Sequence, residues 1–317
     1  KRFLITQDDD MSVLASSEVA DLGEVNMSDG ATLVDFIEWA VSSYPARKTM
    51  LILSDHGAGW PGGWGDPDPG GPGSDQIALA EFFGDSLWLM EMDLALEEAR
   101  TNLGLDAFDV IGFDACLMAQ LEVFTAIAPH ARYAVASEET EPGLGWAYAA
   151  FLSRLANDPS MDGGGLTTAI VETYIDGDMR LEDPAYVGNL SPAQAAAEIF
   201  PETTLSAIDL AQIAPLNAAL DGFAATLTTL DQEIVAQART YAQSYESVFG
   251  DEFPSPYIDL GHFAQLIQER TGDAAVLEAA QVLDAARADA VIAERHGDDR
   301  PGSTGVAIHF PVRNMYS

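Results

Sequence analysis

Two short apolar runs constrain this chain more than any other feature: Leu51-Ile-Leu-Ser-Asp-His56-Gly57 and Val110-Ile-Gly-Phe-Asp114-Ala115-Cys116. Each is a continuous hydrophobic stretch of strand length, as expected where a strand is buried on both faces of a parallel sheet. Each ends on a reactive side chain, and the second carries the single cysteine of the 317 residues. In an open parallel sheet, substrates bind beyond the carboxyl ends of the strands. If the two strands are neighbours, a thiol and an imidazole sixty residues apart in sequence meet there.

The flanking sequence predicts an α/β frame around them. Phe3 to Thr6 reads as a first strand, followed by the acidic loop Asp8-Asp9-Asp10. Ser28 and Asp29 are positioned to cap a helix whose apolar residues Leu33, Val34, Phe36, Ile37, Ala40 and Val41 recur at helical spacing until Pro45 stops it. With the strand from Met50 this makes one strand-helix-strand crossover, which implies a parallel sheet. From Gly57 to Gly73 the glycine and proline content predicts a long loop without helix or strand. A helix is expected over Met92 to Leu103. After Cys116 the residues Leu117, Met118, Leu121, Phe124, Ile127 and Ala128 fall on a helical stripe that ends at Pro129, which places Cys116 at a helix N-terminus.

Tyr133 to Ser137 reads as another strand, leading into the loop Glu138-Glu139-Thr140-Glu141-Pro142-Gly143-Leu144-Gly145-Trp146. From residue 193 the pattern turns helical. Leu210, Ile213, Leu216, Leu220, Phe223, Leu227, Leu230 and Ile234 mark one long helix or a pair, Ala274 to Ala293 another, and Val306 to Phe310 a final strand. The expected organisation is a catalytic core over 1–192 and a helical C-terminal region over 193–317 whose last strand returns to the core.

Charge narrows the partners. Fifty-one Asp and Glu against fourteen Lys and Arg give a formal charge of -37, which opposes binding to nucleic acid or to an anionic membrane and favours cationic partners. High-salt solubility would select the same surface. No apolar run approaches the roughly 18 residues of a membrane helix, so no membrane insertion is expected. One cysteine excludes an internal disulfide. The chain opens on Lys1-Arg2 running straight into a strand, so a processed form is expected, with a secreted or cell-envelope location favoured and a monomer as the simplest state.

A thiol beside an imidazole performs nucleophilic acyl transfer: the thiolate attacks a carbonyl and the imidazole manages the proton. A helix N-terminus and a nearby His both lower a thiol pKa from about 8.5. Gly57 lets a substrate approach the backbone, and its N–H together with that of Cys116 suits an oxyanion. On spacing alone a small core cysteine and a loop histidine are equally consistent readings.

Resemblance separates them. Ser54-Asp55-His56-Gly57-Ala58-Gly59-Trp60, then Phe113-Asp114-Ala115-Cys116-Leu117-Met118, then Ala136-Ser137-Glu138-Glu139-Thr140-Glu141-Pro142-Gly143-Leu144-Gly145-Trp146-Ala147-Tyr148, resemble the clostripain family of cysteine peptidases, in the caspase-like clan. Further similar stretches begin at Gly30, Tyr257 and Gly305, so the resemblance covers nearly the whole chain.

It implies a caspase-like α/β/α sandwich with a mainly parallel sheet, and an endopeptidase cleaving after Arg, or Lys less well, through a thioester. It implies Cys116 as nucleophile, His56 as proton carrier, the N–H groups of Gly57 and Cys116 as oxyanion hole, and Asp114 as the carboxylate that receives the basic side chain. Asp114 is expected on the strand of Cys116, pointing to the same side; the alternative is a strand-end residue that bonds the backbone of the next loop. Glu138, Glu139 and Glu141 either line the same pocket or form a solvated loop. Trp60, Trp64 and Trp146 either wall a substrate groove or pack against the sheet.

Family members often mature by a cut after a basic residue between the His and the Cys; here Arg100 is the single candidate between Lys48 and Arg132. Asp8, Asp9, Asp10, Asp66, Asp68 and Asp75 offer oxygen ligands for calcium, which no step of the chemistry requires. The rival functions are an inactive family member that binds without turnover, and a thiol acyltransferase.

Overall fold

A computed structural model describes residues 1–6, 15–66, 85–175, 177–250 and 254–316. Strand β1 (Arg2–Leu4) pairs antiparallel with β2 (Ser17–Ala20) as a separate ribbon. Helix α1 (Gly30–Ser43) starts at Asp29, whose carboxylate accepts from the N–H of Ala31, and it buries Gly30, Val34 and Ile37. Next come β3 (Met50–Ser54), a short hairpin of β4 (Gly62–Gly65) with β5 (Ser86–Trp88), and α2 (Leu89–Leu103), which closes on Gly104 in the left-handed conformation. Then follow β6 (Phe108–Asp114), α3 (Leu121–Ile127), β7 (Ala131–Ala136), α4 (Tyr148–Asn157) and α5 (Gly163–Tyr174).

Two short helices, α6 (Pro184–Val187) and α7 (Pro192–Ile199), lead into β8 (Thr204–Asp209). The rest is α8 (Ile213–Leu227), α9 (Gln232–Tyr241), β9 (Tyr257–Asp259), α10 (Leu260–Arg270), α11 (Ala274–Ala290), β10 (Val291–His296) and β11 (Ala307–His309).

The central sheet runs β10-β8-β7-β6-β3. β3, β6 and β7 are parallel, β8 is antiparallel to β7, and β10 is antiparallel to β8, so four of the five strands point one way. Period-two alternation splits the core. Leu51, Leu53, Ile111 and Phe113 enter the layer shared with α2, α3, α8, α10 and α11, whereas Met50, Ile52 and Val135 face α4, α5 and α7. Helices therefore cover both faces, as a largely parallel sheet requires.

Several sequence expectations change. β1 does not join β3; the crossovers that build the sheet are β3-α2-β6 and β6-α3-β7. The glycine-rich stretch after His56 does contain a strand, because β4 glycines lie flush against their neighbours: a Cβ on Gly62 would stand 2.4 Å from the carbonyl oxygen of Leu87. The expected long seam resolves into the pair α8 and α9. The helix expected to Ala293 ends at Ala290 and becomes β10 without a break. The sheet runs across the boundary expected at residue 192, since β8 and β10 complete it, while β11 pairs with β9.

Candidate active site

The two apolar runs are neighbouring parallel strands. Ser54 of β3 pairs with Asp114 of β6, and the N–H of Asp55 donates to the Asp114 carbonyl at 3.3 Å. His56 and Cys116 each follow two residues later, so the register brings them to the same level beyond the sheet. The backbone of His56 is held on both sides: its N–H donates to the Asp55 carboxylate at 2.7 Å, and its carbonyl accepts from Trp64 at 2.8 Å. The residue as a whole is exposed.

Gly57 faces Gly63 of β4 between the bonds from Ala58 to Gly62 and from Trp64 to His56, which makes it a non-hydrogen-bonded pair. The N–H of Gly57 therefore points away from β4. Its α-carbon lies against the Cys116 carbonyl, where a Cβ would stand 2.2 Å from the oxygen. Gly57→Ala must push the nucleophile-bearing turn aside, and a displacement near 1 Å costs about 10²-fold. The expected result is a loss of at least that order in kcat/KM together with a lower melting temperature, since the clash is with backbone, read in parallel assays of both proteins.

Cys116 is not at a helix N-terminus. Leu117 takes a left-handed backbone (φ 68°), its N–H donates to the Glu139 carbonyl at 3.1 Å, and the N–H of Ala119 donates to the Ser137 carbonyl at 2.8 Å. The apolar stripe that suggested a helix from Cys116 is instead pinned along the extension of β7, and α3 begins only at Leu121. The half-buried sulfur accepts from the N–H of Glu141 at 3.3 Å. Burial raises the thiol pKa; the Glu141 and Cys116 N–H groups oppose this, while the Glu139 and Glu246 carboxylates add to it. The thiol rests protonated at neutral pH.

Asp114 is buried, with its carboxylate wrapped by the following loop. It accepts from the N–H of Trp146 at 3.2 Å and from the Tyr148 hydroxyl at 2.8 Å, and Gly145, left-handed at φ 63°, abuts it so closely that a Cβ would stand 2.9 Å from an oxygen. Arg180 clamps that loop, donating to the carbonyls of Leu144, Gly145 (3.0 Å) and Trp146 (3.1 Å) while pairing with Asp178 at 2.6 Å. No sequence signal marks Arg180, which lies 66 residues beyond Asp114.

Glu138 and Glu139 are both buried but turn away from Asp114. Glu138 accepts from the N–H of Gly305 at 3.2 Å, and burial, followed by the nearby Asp259 carboxylate, pushes its pKa well up. Glu139 pairs with Arg300 at 2.8 Å and accepts from the N–H groups of Thr140 (2.8 Å) and Glu246 (3.0 Å). Glu141 is the acid of this loop that reaches the Asp114 region, receiving the Trp146 indole N–H at 3.3 Å.

Of the tryptophans, Trp64 packs on Phe113 in the core, Trp146 is buried beside Asp114, and Trp60 stacks with Phe249 near the loop after His56. Arg100 lies within α2 with its guanidinium bound to the Pro129 and Asp106 carbonyls, a poor position for a cut. Of the aspartates considered for calcium, Asp66 accepts from the N–H of Met27 at 2.9 Å; the other five lie outside the described residues. Among the described residues no cluster of three or more His, Cys, Asp or Glu is placed to hold a metal.

A mostly parallel sheet clad by helices on both faces, with a His-Gly strand end set against an Ala-Cys strand end, defines a cysteine peptidase of caspase-like fold. The chain belongs to the clostripain family, whose model matches residues 5–313. Similar solved structures share the fold. A secreted C11 cysteine protease from Bacteroides thetaiotaomicron, in complex with an irreversible peptide inhibitor, is 21% identical over 98% of this chain and 79% of its own, with a TM-score of 0.62. An inactive zymogen C11 protease from Parabacteroides distasonis is 17% identical over 94% of this chain and 74% of its own, with a TM-score of 0.58. No curated protein is similar to the chain at a meaningful level.

Proposed function

We propose that the protein is an endopeptidase that cleaves after Arg, and Lys less well, with Cys116 and His56 as its dyad. The observation that supports this reading is the parallel register of Ser54 with Asp114, with Gly57, directly after His56, against the Cys116 carbonyl and a buried carboxylate two residues before Cys116.

A substrate carbonyl lies over Cys116 with its oxygen toward the N–H groups of Gly57 and Cys116. The thiol proton passes to His56 as sulfur bonds the carbonyl carbon, and the oxyanion collapses to a thioester as His56 returns the proton to the leaving amine. Water then attacks the thioester, His56 takes its proton, and the acid product leaves as the thiol re-forms. Each oxyanion donor of this kind supports about 10²- to 10³-fold in rate. A basic side chain of the substrate reaches Asp114, where Tyr148 now sits as a replaceable donor.

Fluorogenic peptides ending in Arg, Lys, Asp or Asn test the reading. Cleavage in the order Arg, Lys, then the others supports it, and a preference for Asp or Asn overturns the role of Asp114. Extracellular action is part of the proposal, supported by the secreted relative from Bacteroides thetaiotaomicron; recovery of the protein only from the cytoplasmic fraction would contradict it.

The sign of the pH dependence follows from the thiol. Because burial raises the Cys116 pKa, the nucleophile gains thiolate character only as pH rises, so kcat/KM and the rate of alkylation by iodoacetamide should both climb on the alkaline side of neutrality. An alkylation rate that is maximal below pH 6 would show a preformed thiolate instead.

A further inference from the structure

Glu139 is the point at which several separate segments meet beside the nucleophile. Its carbonyl accepts from the N–H of Leu117, the residue after Cys116, at 3.1 Å, and its own N–H donates to the Thr204 hydroxyl of β8 at 3.0 Å. One carboxylate oxygen accepts from the N–H groups of Thr140, at 2.8 Å, and of Glu246, 107 residues away, at 3.0 Å. The other accepts from Nε and Nη2 of Arg300, each at 2.8 Å, across 161 residues. The Glu139 side chain is only 1% exposed and that of Arg300 17%. Arg300 is itself held in a turn after β10, where its N–H donates to the Gly297 carbonyl at 3.1 Å and its carbonyl accepts from Ser303 at 3.0 Å.

We propose that Glu139 and Arg300 are positioning residues for Cys116: their ion pair fixes the turn that carries the nucleophile, and Arg300 offsets the carboxylate charge that lies beside the sulfur. The proposal rests on the reading of Cys116 as nucleophile. A buried ion pair repays its desolvation poorly compared with apolar residues of the same volume, so its use lies in the arrangement it specifies. Leu117 has a left-handed backbone, which a leucine keeps only where surrounding bonds impose it, and the Glu139 carbonyl supplies one of those bonds. The N–H of Glu141, two residues beyond Glu139 in the same loop, meets the sulfur itself.

The charges around the sulfur give the pair a second consequence. Glu139 and Glu246 face Cys116 as negative charges, the Glu141 carboxyl and the Tyr174 phenol of α5 face it too, and His56 follows the neighbouring strand β3. Arg300 pairs with Glu202 as well, at 3.2 Å. Removing Arg300 leaves the Glu139 charge uncompensated, which favours the neutral thiol; neutralising Glu139 leaves a cation nearby, which favours the thiolate. The two changes break the same ion pair but move the thiol titration in opposite directions.

Arg300→Met, Arg300→Lys and Glu139→Gln test this, assayed on the peptide that the parent cleaves best. A displacement near 1 Å costs about 10²-fold, so Arg300→Met and Glu139→Gln should each lower kcat by about 10- to 100-fold while KM changes little. Arg300→Lys keeps the charge and should be faster than Arg300→Met. The double variant of Arg300→Met with Glu139→Gln should be no slower than the slower single, because partners in one pair do not add. The pH profile of iodoacetamide alkylation reads the charge separately: its midpoint should rise by about one unit in Arg300→Met and fall by about one unit in Glu139→Gln.

A kcat near the parent's in either single, losses confined to KM, multiplicative losses in the double variant, or no advantage of Arg300→Lys over Arg300→Met each overturns the proposal. Lower melting temperatures with alkylation midpoints that move together, or not at all, identify a purely structural role and overturn it as well. The underlying reading fails separately: if Cys116→Ala cleaves as fast as the parent, the nucleophile is another group and this proposal falls with that assignment.

Discussion

Cys116→Ala is expected to lower kcat/KM on Arg peptides by on the order of 10⁴-fold or more, with KM nearly unchanged. Removing a nucleophile abolishes the covalent route and leaves only what binding and the oxyanion donors achieve. The fold should survive, because the sulfur is half-buried and the loop whose Glu141 N–H it receives is also held through Glu139 and Arg180. Steady-state kinetics with a thermal melt check both statements. A residual rate above about 1% of the parent would mean that another group carries the chemistry.

Asp114→Asn is the second large effect. Truncating one partner of a desolvated, hydrogen-bonded charge pair costs about 2–5 kcal/mol, which corresponds to roughly 30- to 3,000-fold in affinity for the cation. The loss should appear mainly in KM and should strike Arg and Lys alike. It should not follow from misfolding, since an amide oxygen can still accept from Trp146 or Tyr148 as the carboxylate does. The discriminating measurement is the ratio of kcat/KM for Arg to that for a neutral side chain of similar length. A ratio unchanged by Asp114→Asn would remove Asp114 from specificity, whatever happened to the absolute rates.

The two substitutions separate different parts of the site. In the proposed reading Cys116 meets the reacting carbonyl, while Asp114, two residues back at the end of β6, receives the side chain of the residue being cut. β6 ends at Asp114 and Cys116 lies in the turn after it, so the offset between them is fixed by that turn's bonds to Ser137, Glu139 and Glu141. The loop from Glu138 to Trp146 contributes what the strand cannot: walls, a donor to the thiol, and the acid Glu141. Its shape depends on Arg180 and Arg300, two of the few cations in a chain with fourteen Lys and Arg in all.

The sequence by itself determined the two strands that matter. Leu51 to Leu53 and Val110 to Phe113 are continuous apolar runs, and a run buried on both faces has few alternatives to the interior of a parallel sheet. It also determined the order of His and Cys, the family, and the helices with strong caps or stops, such as α1 between Asp29 and Pro45.

Only the tertiary structure decided which polar residues serve the scaffold and which face the site. β8 escaped notice because its Thr204 and Ser206 interrupt the apolar pattern, and they are tolerated there only because Ser137, Ala136 and Gly305 satisfy them across sequence gaps of 67 to 99 residues. β10 escaped because no glycine or proline separates it from α11. Leu117 and Met118 fit a helical stripe, and the left-handed turn at Leu117 arises from bonds to a distant strand extension that no local pattern encodes. Glu138, Glu139 and Glu141 are alike in sequence. They differ because a buried carboxylate takes its state from what surrounds it: Gly305 and Asp259 for the first, Arg300 for the second, Asp114 and the Tyr174 phenol for the third.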